Sequence, residues 1–251
     1  MQRSMRWLAR PAAGVPDGDD WLTPHERAYA DRQRFTKRRS EFRMARYAAK
    51  SALARVLDLP DDAAALARIE IRHEPSGAPF ACVDGRRADW QISLTDRADW
   101  AVCLLARGAG RIGCDLELVE PRSAAFVADF FTAAEQSVVA AAAERDLAAN
   151  LIWSAKESAL KVLTTGLRRD TRSVEVSATP TGSGWRPLQI TAVEGDAYPG
   201  WWRRDGSFVL TIATATATDP PEALEPEPFG TAAPAHGWLG QPTREPGPTP
   251  S

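Results

Sequence analysis

Residues 111–119 read RIGCDLELV, in which Ile112, Cys114, Leu116 and Leu118 alternate with Gly113, Asp115 and Glu117. Period-two alternation is the pattern of a half-buried β-strand, and it sets both carboxylates on one face, about 6.6 Å apart at ~3.3 Å per residue. Two hard oxygen donors on one side suit Mg2+, with water and phosphate oxygens completing an octahedron. The plain alternative is a solvated strand face that carries two acids. Residues 153–161 read WSAKESALK. Trp153 and Glu157 are an i, i+4 pair, as are Glu157 and Lys161, so all three share one helix face. In that setting Glu157 is suited to be a third metal ligand or a proton acceptor, and Lys161 a phosphate contact one turn away. The alternative is a surface Glu–Lys pair that stabilises its helix by ~0.2–0.5 kcal/mol.

The elements around these residues are legible in outline. Helices are expected over 40–57 and within 132–163. Strands are expected at RIEIR, WQISLT, WAVCLLA, RIGCDLELV, SVEVSA and LQITAV. A last pair, GWWRR and SFVLTIATATAT, is joined by a turn at Asp205-Gly206. Strands and helices in this irregular order predict an α+β fold rather than alternating βαβ units. TAAE at 132–135 reads as a capping box, with Thr132 and Glu135 satisfying the first free amides of a helix. YAAKSALARVL (47–57) laid over WSAKESALKVL (153–163) matches Ala, Lys, Val and Leu without gaps, and sets Ser51 opposite Glu157. That suggests an internal repeat, although alanine-rich helices also match by chance.

The chain has 251 residues, 44% of them hydrophobic, and a formal net charge of -2, which suits a globular protein with a sizeable core. The near-neutral total hides local bias. Residues 26–55 hold ten Lys or Arg against three acids. A basic segment in a neutral chain points to a local anionic ligand rather than to nucleic acid. Cys82, Cys103 and Cys114 form no CxxC pair, the N-terminus lacks a signal-peptide core, and no apolar run approaches ~20 residues. These features predict a cytoplasmic protein without a membrane segment. His25, His73 and His236 show no metal-ligand spacing. Residues 219–251 hold nine of the 19 prolines and little apolar periodicity, and read as a disordered or loosely attached tail.

Taken together, GCDLE and WSAKESALK resemble the paired signature of the 4′-phosphopantetheinyl transferases, Gly-x-Asp-x-Glu and Trp-x-x-Lys-Glu-x-x-x-Lys. FFTAAE, TTGL and KRRSEFRMARYAAKSAL are also typical of that superfamily, and the chain looks like its larger, surfactin-type class. The resemblance implies a pseudodimer of two similar α+β lobes. An N-terminal lobe (1–108) would bind the nucleotide of coenzyme A, and a C-terminal lobe (109–218) would carry metal and catalytic residues, followed by the Pro-rich tail (219–251). It implies transfer of phosphopantetheine from coenzyme A to a serine of an apo acyl or peptidyl carrier protein in fatty-acid, polyketide or nonribosomal peptide synthesis. Adenosine 3′,5′-bisphosphate is released. By this resemblance Asp115, Glu117 and Glu157 hold Mg2+, Glu157 and Lys161 are catalytic, and Arg38, Arg43, Arg46, Lys156 and Lys161 contact coenzyme A. For Lys156 an outward, solvated position is equally open, and for the arginines a solvated basic helix face. The expected enzyme is a monomer with no nucleic-acid or membrane partner. The alternatives are a degenerate module that binds coenzyme A or a carrier protein without transfer, and a Mg2+-dependent pyrophosphate hydrolase.

Two positions depart from the family pattern. A Ser-His pair that helps hold the 3′-phosphate of coenzyme A aligns with Thr95 and Asp96, and a Gly-Lys-Pro segment reads Gly77-Ala78-Pro79. Arg86, Arg87 and Arg97 are the nearest candidates to compensate.

Overall fold

The computed structural model describes residues 4–179, 184–226 and 229. Its first elements are β1 (Ser4–Pro11), α1 (Pro24–Asp31), α2 (Thr36–Val56), α3 (Ala63–Leu66), β2 (Ile69–His73), β3 (Pro79–Val83), β4 (Arg86–Arg87), β5 (Gln91–Arg97) and β6 (Trp100–Arg107). Then follow β7 (Ile112–Leu118), α4 (Ala124–Phe130), α5 (Ala133–Ala141), α6 (Arg145–Val162), β8 (Val174–Ala178), β9 (Arg186–Ala192), β10 (Ala197–Asp205), β11 (Phe208–Thr214) and β12 (Glu222–Ala223). The fold is mixed α+β. No helix among the described residues is long and apolar enough to cross a membrane.

The strands form one sheet in the order β12-β1-β6-β5, a second in the order β7-β11-β10-β9-β8, and a small third of β2-β3-β4. Strand alternation explains the layering, because each sheet presents apolar residues on both faces. Leu8, Ile92, Cys103 and Leu105 of the first sheet pack under Ala48, Ala52 and Leu53 of α2. Ile190, Trp202, Val209 and Ala213 of the second pack under Leu151, Ala155 and Ala159 of α6. The opposite faces meet each other, Trp7, Val102 and Leu104 against Cys114, Leu116, Leu210 and Ile212. The molecule is therefore helix, sheet, sheet, helix, with two cores under the helices and one between the sheets.

The sheets also join along an edge. β7 pairs with β11 on one side only, and its outward amides need acceptors. Ser93 and Thr95 of β5 supply them: Ser93 Oγ accepts from the Cys114 amide (2.9 Å) and Thr95 Oγ1 from the Leu116 amide (3.1 Å). Gly113 is required on the other face, where α6 crosses. A Cβ there would lie 2.0 Å from the Ser158 carbonyl oxygen. Ser154 and Ser158 of α6 share hydroxyl hydrogen bonds with Thr211 of β11, which pins the helix at this height.

The ends of α1 and α5 are built alike. Thr23 and Glu26 form a capping box, the other Glu26 oxygen accepts from the Ile71 amide (3.0 Å), and Lys50 Nζ lies 2.5 Å from Glu26. Thr132 and Glu135 repeat the box, Glu135 accepts from the Val176 amide (2.8 Å), and Lys156 Nζ lies 2.8 Å from Glu135. Both lysines are fully buried, at 0% exposure.

Three expectations need correction. β7 is buried on both faces rather than half-solvated, because α6 covers the side that carries the acids. The helical stretch 132–163 is two helices, α5 and α6, broken around residues 142–144. The described part of the tail is docked, not loose. β12 pairs in parallel with β1, Glu225 binds Arg10 (2.7 Å) and Arg55 (2.6 Å), and Phe229 is buried against Trp7, Trp100 and Phe208. The rest of the expected tail, 227–228 and 230–251, lies outside the described residues.

Candidate functional site

The site is built where β7, β5 and α6 meet. Asp115 is 8% exposed, and its Oδ1 accepts from Thr95 Oγ1 (3.2 Å) and Lys161 Nζ (3.0 Å). Lys161 also donates to the Cys114 carbonyl (2.7 Å), which leaves one of its three donors uncommitted. Asp115 Oδ2 and Glu157 Oε1 are both buried and have no hydrogen-bond partner among the described residues. Orphaned buried oxygens are costly and rare in a folded protein, and an unfilled cation or ligand position is a physical reason for them.

Charge crowding follows from the proximity. Burial, reinforced by Asp115 and Glu117 and opposed by Lys161, pushes the Glu157 carboxyl up to about 7. Burial also raises Glu117, with Asp115 adding and Arg97 and Arg122 opposing. For Lys161 burial works against the ammonium, but Asp115, Cys114 and Glu157 outweigh it and the net shift is upward. Asp96 lies at the same crowded place. Desolvation of its carboxyl, then Glu41 and Asp115, push it up to about 6 against Lys161 and Lys37.

Glu117 is placed differently from the other two acids. Its Oε1 accepts from Trp153 Nε1 (3.0 Å), and its Oε2 takes Arg122 Nη2 (3.0 Å) and lies 3.3 Å from Arg97 Nε. Arg97 also binds Glu120, and Asn150 holds Arg122 at Nε (2.7 Å). Among the described residues no group of three His, Cys, Asp or Glu takes positions that could hold a metal ion. Two free carboxylate oxygens, on Asp115 and Glu157, nevertheless fit a Mg2+ ion, which typically binds one or two carboxylates and draws its remaining ligands from water and phosphate. Glu117 does not offer a free oxygen in this arrangement.

A cleft of about 1070 Å³ opens beside Lys161, walled by the 74–79 turn, Arg87, Gln91 and Ser93 on one side and by Arg111, Ile112, Thr164, Thr165 and Arg168 on the other. Its cations are Arg87, Arg111, Lys161 and Arg168, and its one acid, Glu74, is paired with Arg87 at 2.6 Å. The cleft is therefore suited to a polyanion. Arg111 and Arg168 escape a motif reading because they flank the signatures rather than belong to them. Position was the available signal: Arg111 lies two residues before Gly113, where the first signature begins, and Arg168 directly follows TTGL. Ala78 lines the cleft without adding charge.

The remaining expected contacts are dispersed. Lys156 is neither solvated nor open to a ligand, since its donors go to Glu135, the Thr171 carbonyl (2.9 Å) and the Val174 carbonyl. Arg43 is not free either: it binds the carbonyls of Asp17 (3.0 Å) and Gly18 (2.9 Å) and the Asp19 carboxylate, which anchors that loop. Arg46 turns into a different cavity beside Glu26 and Phe42. Arg38 is exposed near the start of α2. Helical spacing sets Arg43 and Arg46 on one side, but their long side chains diverge to separate partners. Glu135 caps α5 and neutralises Lys156.

No curated protein sequence matches the chain significantly. Residues 111–213, which carry Asp115, Glu117, Glu157 and Lys161, match the family model of the 4'-phosphopantetheinyl transferase superfamily, a likeness that suggests phosphopantetheine transfer in general.

Proposed function

We propose that the protein transfers 4′-phosphopantetheine from coenzyme A to a serine of an acyl or peptidyl carrier protein, as a two-lobed, surfactin-type member of that superfamily. The observation that carries the reading is the pair of orphaned oxygens on Asp115 and Glu157, beside Lys161 at the edge of a cationic cleft. In the reaction the serine oxygen attacks the phosphorus that bears pantetheine. A new phosphate ester forms, the pyrophosphate P–O bond breaks, and adenosine 3′,5′-bisphosphate leaves with the electron pair. Glu157, directly or through a water, takes the serine proton. The uncommitted donor of Lys161 meets the leaving phosphate, and Arg111 and Arg168 hold the nucleotide end. A Mg2+ on Asp115 and Glu157 would supply charge neutralisation of the pyrophosphate.

The matching Thr-Glu-Lys arrangements of α1–α2 and α5–α6, and the shared β1-β6-β5 and β7-β11-β10 orders, support two lobes related by duplication, at 1–108 and 109–218. The reading as a non-catalytic binding module is favoured by one arrangement, the capture of Glu117 by Arg97 and Arg122. Product analysis separates the readings, with an apo carrier protein, coenzyme A and Mg2+ as reactants. Adenosine 3′,5′-bisphosphate formed in step with modified carrier supports transfer. Free phosphopantetheine with unmodified carrier means hydrolysis, and unchanged coenzyme A means a binding module.

A further inference from the structure

Of the three motif acids, only Glu117 has both oxygens taken. Trp153 Nε1 donates to its Oε1 (3.0 Å), and its Oε2 accepts from Arg122 Nη2 (3.0 Å) and lies 3.3 Å from Arg97 Nε. Asp115 Oδ2 and Glu157 Oε1, by contrast, are buried without a partner. Asp115 and Glu117 stand two residues apart on the same side of β7, under α6, which carries Trp153 and Glu157 one turn apart. What separates Glu117 from the other two is therefore the pair of arginines rather than its place on the strand.

Arg97 reaches Glu117 from the other sheet. Ser93, Thr95 and Arg97 are alternate residues of β5 and meet β7 in succession, Ser93 at Cys114, Thr95 at Asp115 and Leu116, and Arg97 at Glu117. The first two offer hydroxyls, whereas Arg97 offers a charge. Arg122 arrives from the segment between β7 and α4. Neither arginine depends on Glu117 alone. Arg97 also binds Glu120, and Arg122 donates to Asn150 (2.7 Å) and lies over Phe126, 4.9 Å from the ring centre. Giving up Glu117 leaves each with another partner, which avoids much of the cost of a stranded charge.

We propose that Arg97 and Arg122 compete with the divalent cation for Glu117. The inference rests on the reading that Asp115 and Glu157 hold that cation. Glu117 joins the metal only by releasing charge-assisted contacts to both arginines, and one of the two contacts ties the sheets together. Arg97 and Arg122 are thus positioning residues, which act through Glu117 and set how tightly the metal binds. On this account the capture of Glu117 is a reversible hold rather than the mark of an inactive chain.

Counting free Mn2+, a paramagnetic stand-in for Mg2+, by electron paramagnetic resonance tests this on the full chain with saturating coenzyme A and no carrier protein. The wild type should show a Mn2+ site that Asp115→Asn removes. Arg97→Ala and Arg122→Ala should each tighten that site by about fivefold or more. Both arginines keep part of their side chains in water, at 25% and 14% exposure, so these variants should fold. Combined with Glu117→Gln, each should change the affinity by less than about twofold, because the competition has lost its object. The general field of a lost cation would persist with Glu117→Gln in place, and an undiminished gain there would overturn the proposal. An Asp115-dependent site that neither arginine variant tightens would overturn it alone. No Asp115-dependent site in the wild type would overturn it together with the proposed function.

Discussion

Glu157→Gln should make the metal-free protein more stable, and by an amount that depends on pH. In the folded chain the Glu157 carboxyl is pushed from 4.5 to about 7, mainly by burial and then by Asp115. A folded value above the unfolded one means that the native state holds more protons between those two pH values. The wild type therefore loses stability as pH rises from about 4.5 to about 7 and changes little beyond. At 1.36 kcal/mol per pH unit the full displacement corresponds to about 3 kcal/mol. Because Glu157 is half-buried and water screens it, about 1.5 kcal/mol is a reasonable share to be expressed. Gln keeps the shape and removes the charge. Urea unfolding in chelator should show the variant's advantage growing by about that amount between pH 4.5 and 8, and millimolar Mg2+ should shrink it by stabilising only the wild type. An advantage that is flat with pH, or a variant less stable at pH 8, would refute the placement of Glu157 among uncompensated carboxylates.

Gly113→Ala should cost about 1–3 kcal/mol or more, read as a lower Tm, because the new methyl would collide with the Ser158 carbonyl and push α6 off β7. Lys156→Met should cost about 3–5 kcal/mol in chemical denaturation, since it strands the Glu135 charge in the core. Had Lys156 served coenzyme A instead, the change would alter KM and spare stability. Phe229→Ala should lower stability by about 3–5 kcal/mol through loss of its packing on Trp7, Trp100 and Phe208, whereas an unattached tail would leave unfolding unchanged.

The acids of the site were legible because the chemistry follows local periodicity. Alternation in 112–118 set Asp115 and Glu117 on one face, and helical spacing aligned Trp153, Glu157 and Lys161. Spacing could not show that Arg97 and Arg122, from outside the motifs, take Glu117, because that depends on where β5 and the segment after β7 meet. Lys156 looked polar within an amphipathic helix, and its burial rests on Glu135 and two carbonyls well apart from it in the chain. β1 was missed since Arg6 and Arg10 interrupt its apolar residues, although Trp7, Leu8 and Ala9 are buried on two different faces. The docked part of the tail hides for a related reason. A single Phe229 entering a preformed aromatic hollow produces no period at all.

The most direct test of the central claim is the intact mass of an apo carrier protein incubated with coenzyme A, Mg2+ and either the wild-type chain or Glu157→Gln. The account predicts a serine-linked gain of the phosphopantetheine mass with the wild type and an unmodified carrier with the variant, even though that variant is the more stable protein in the absence of metal. Equal modification by both, or none by the wild type, would contradict it.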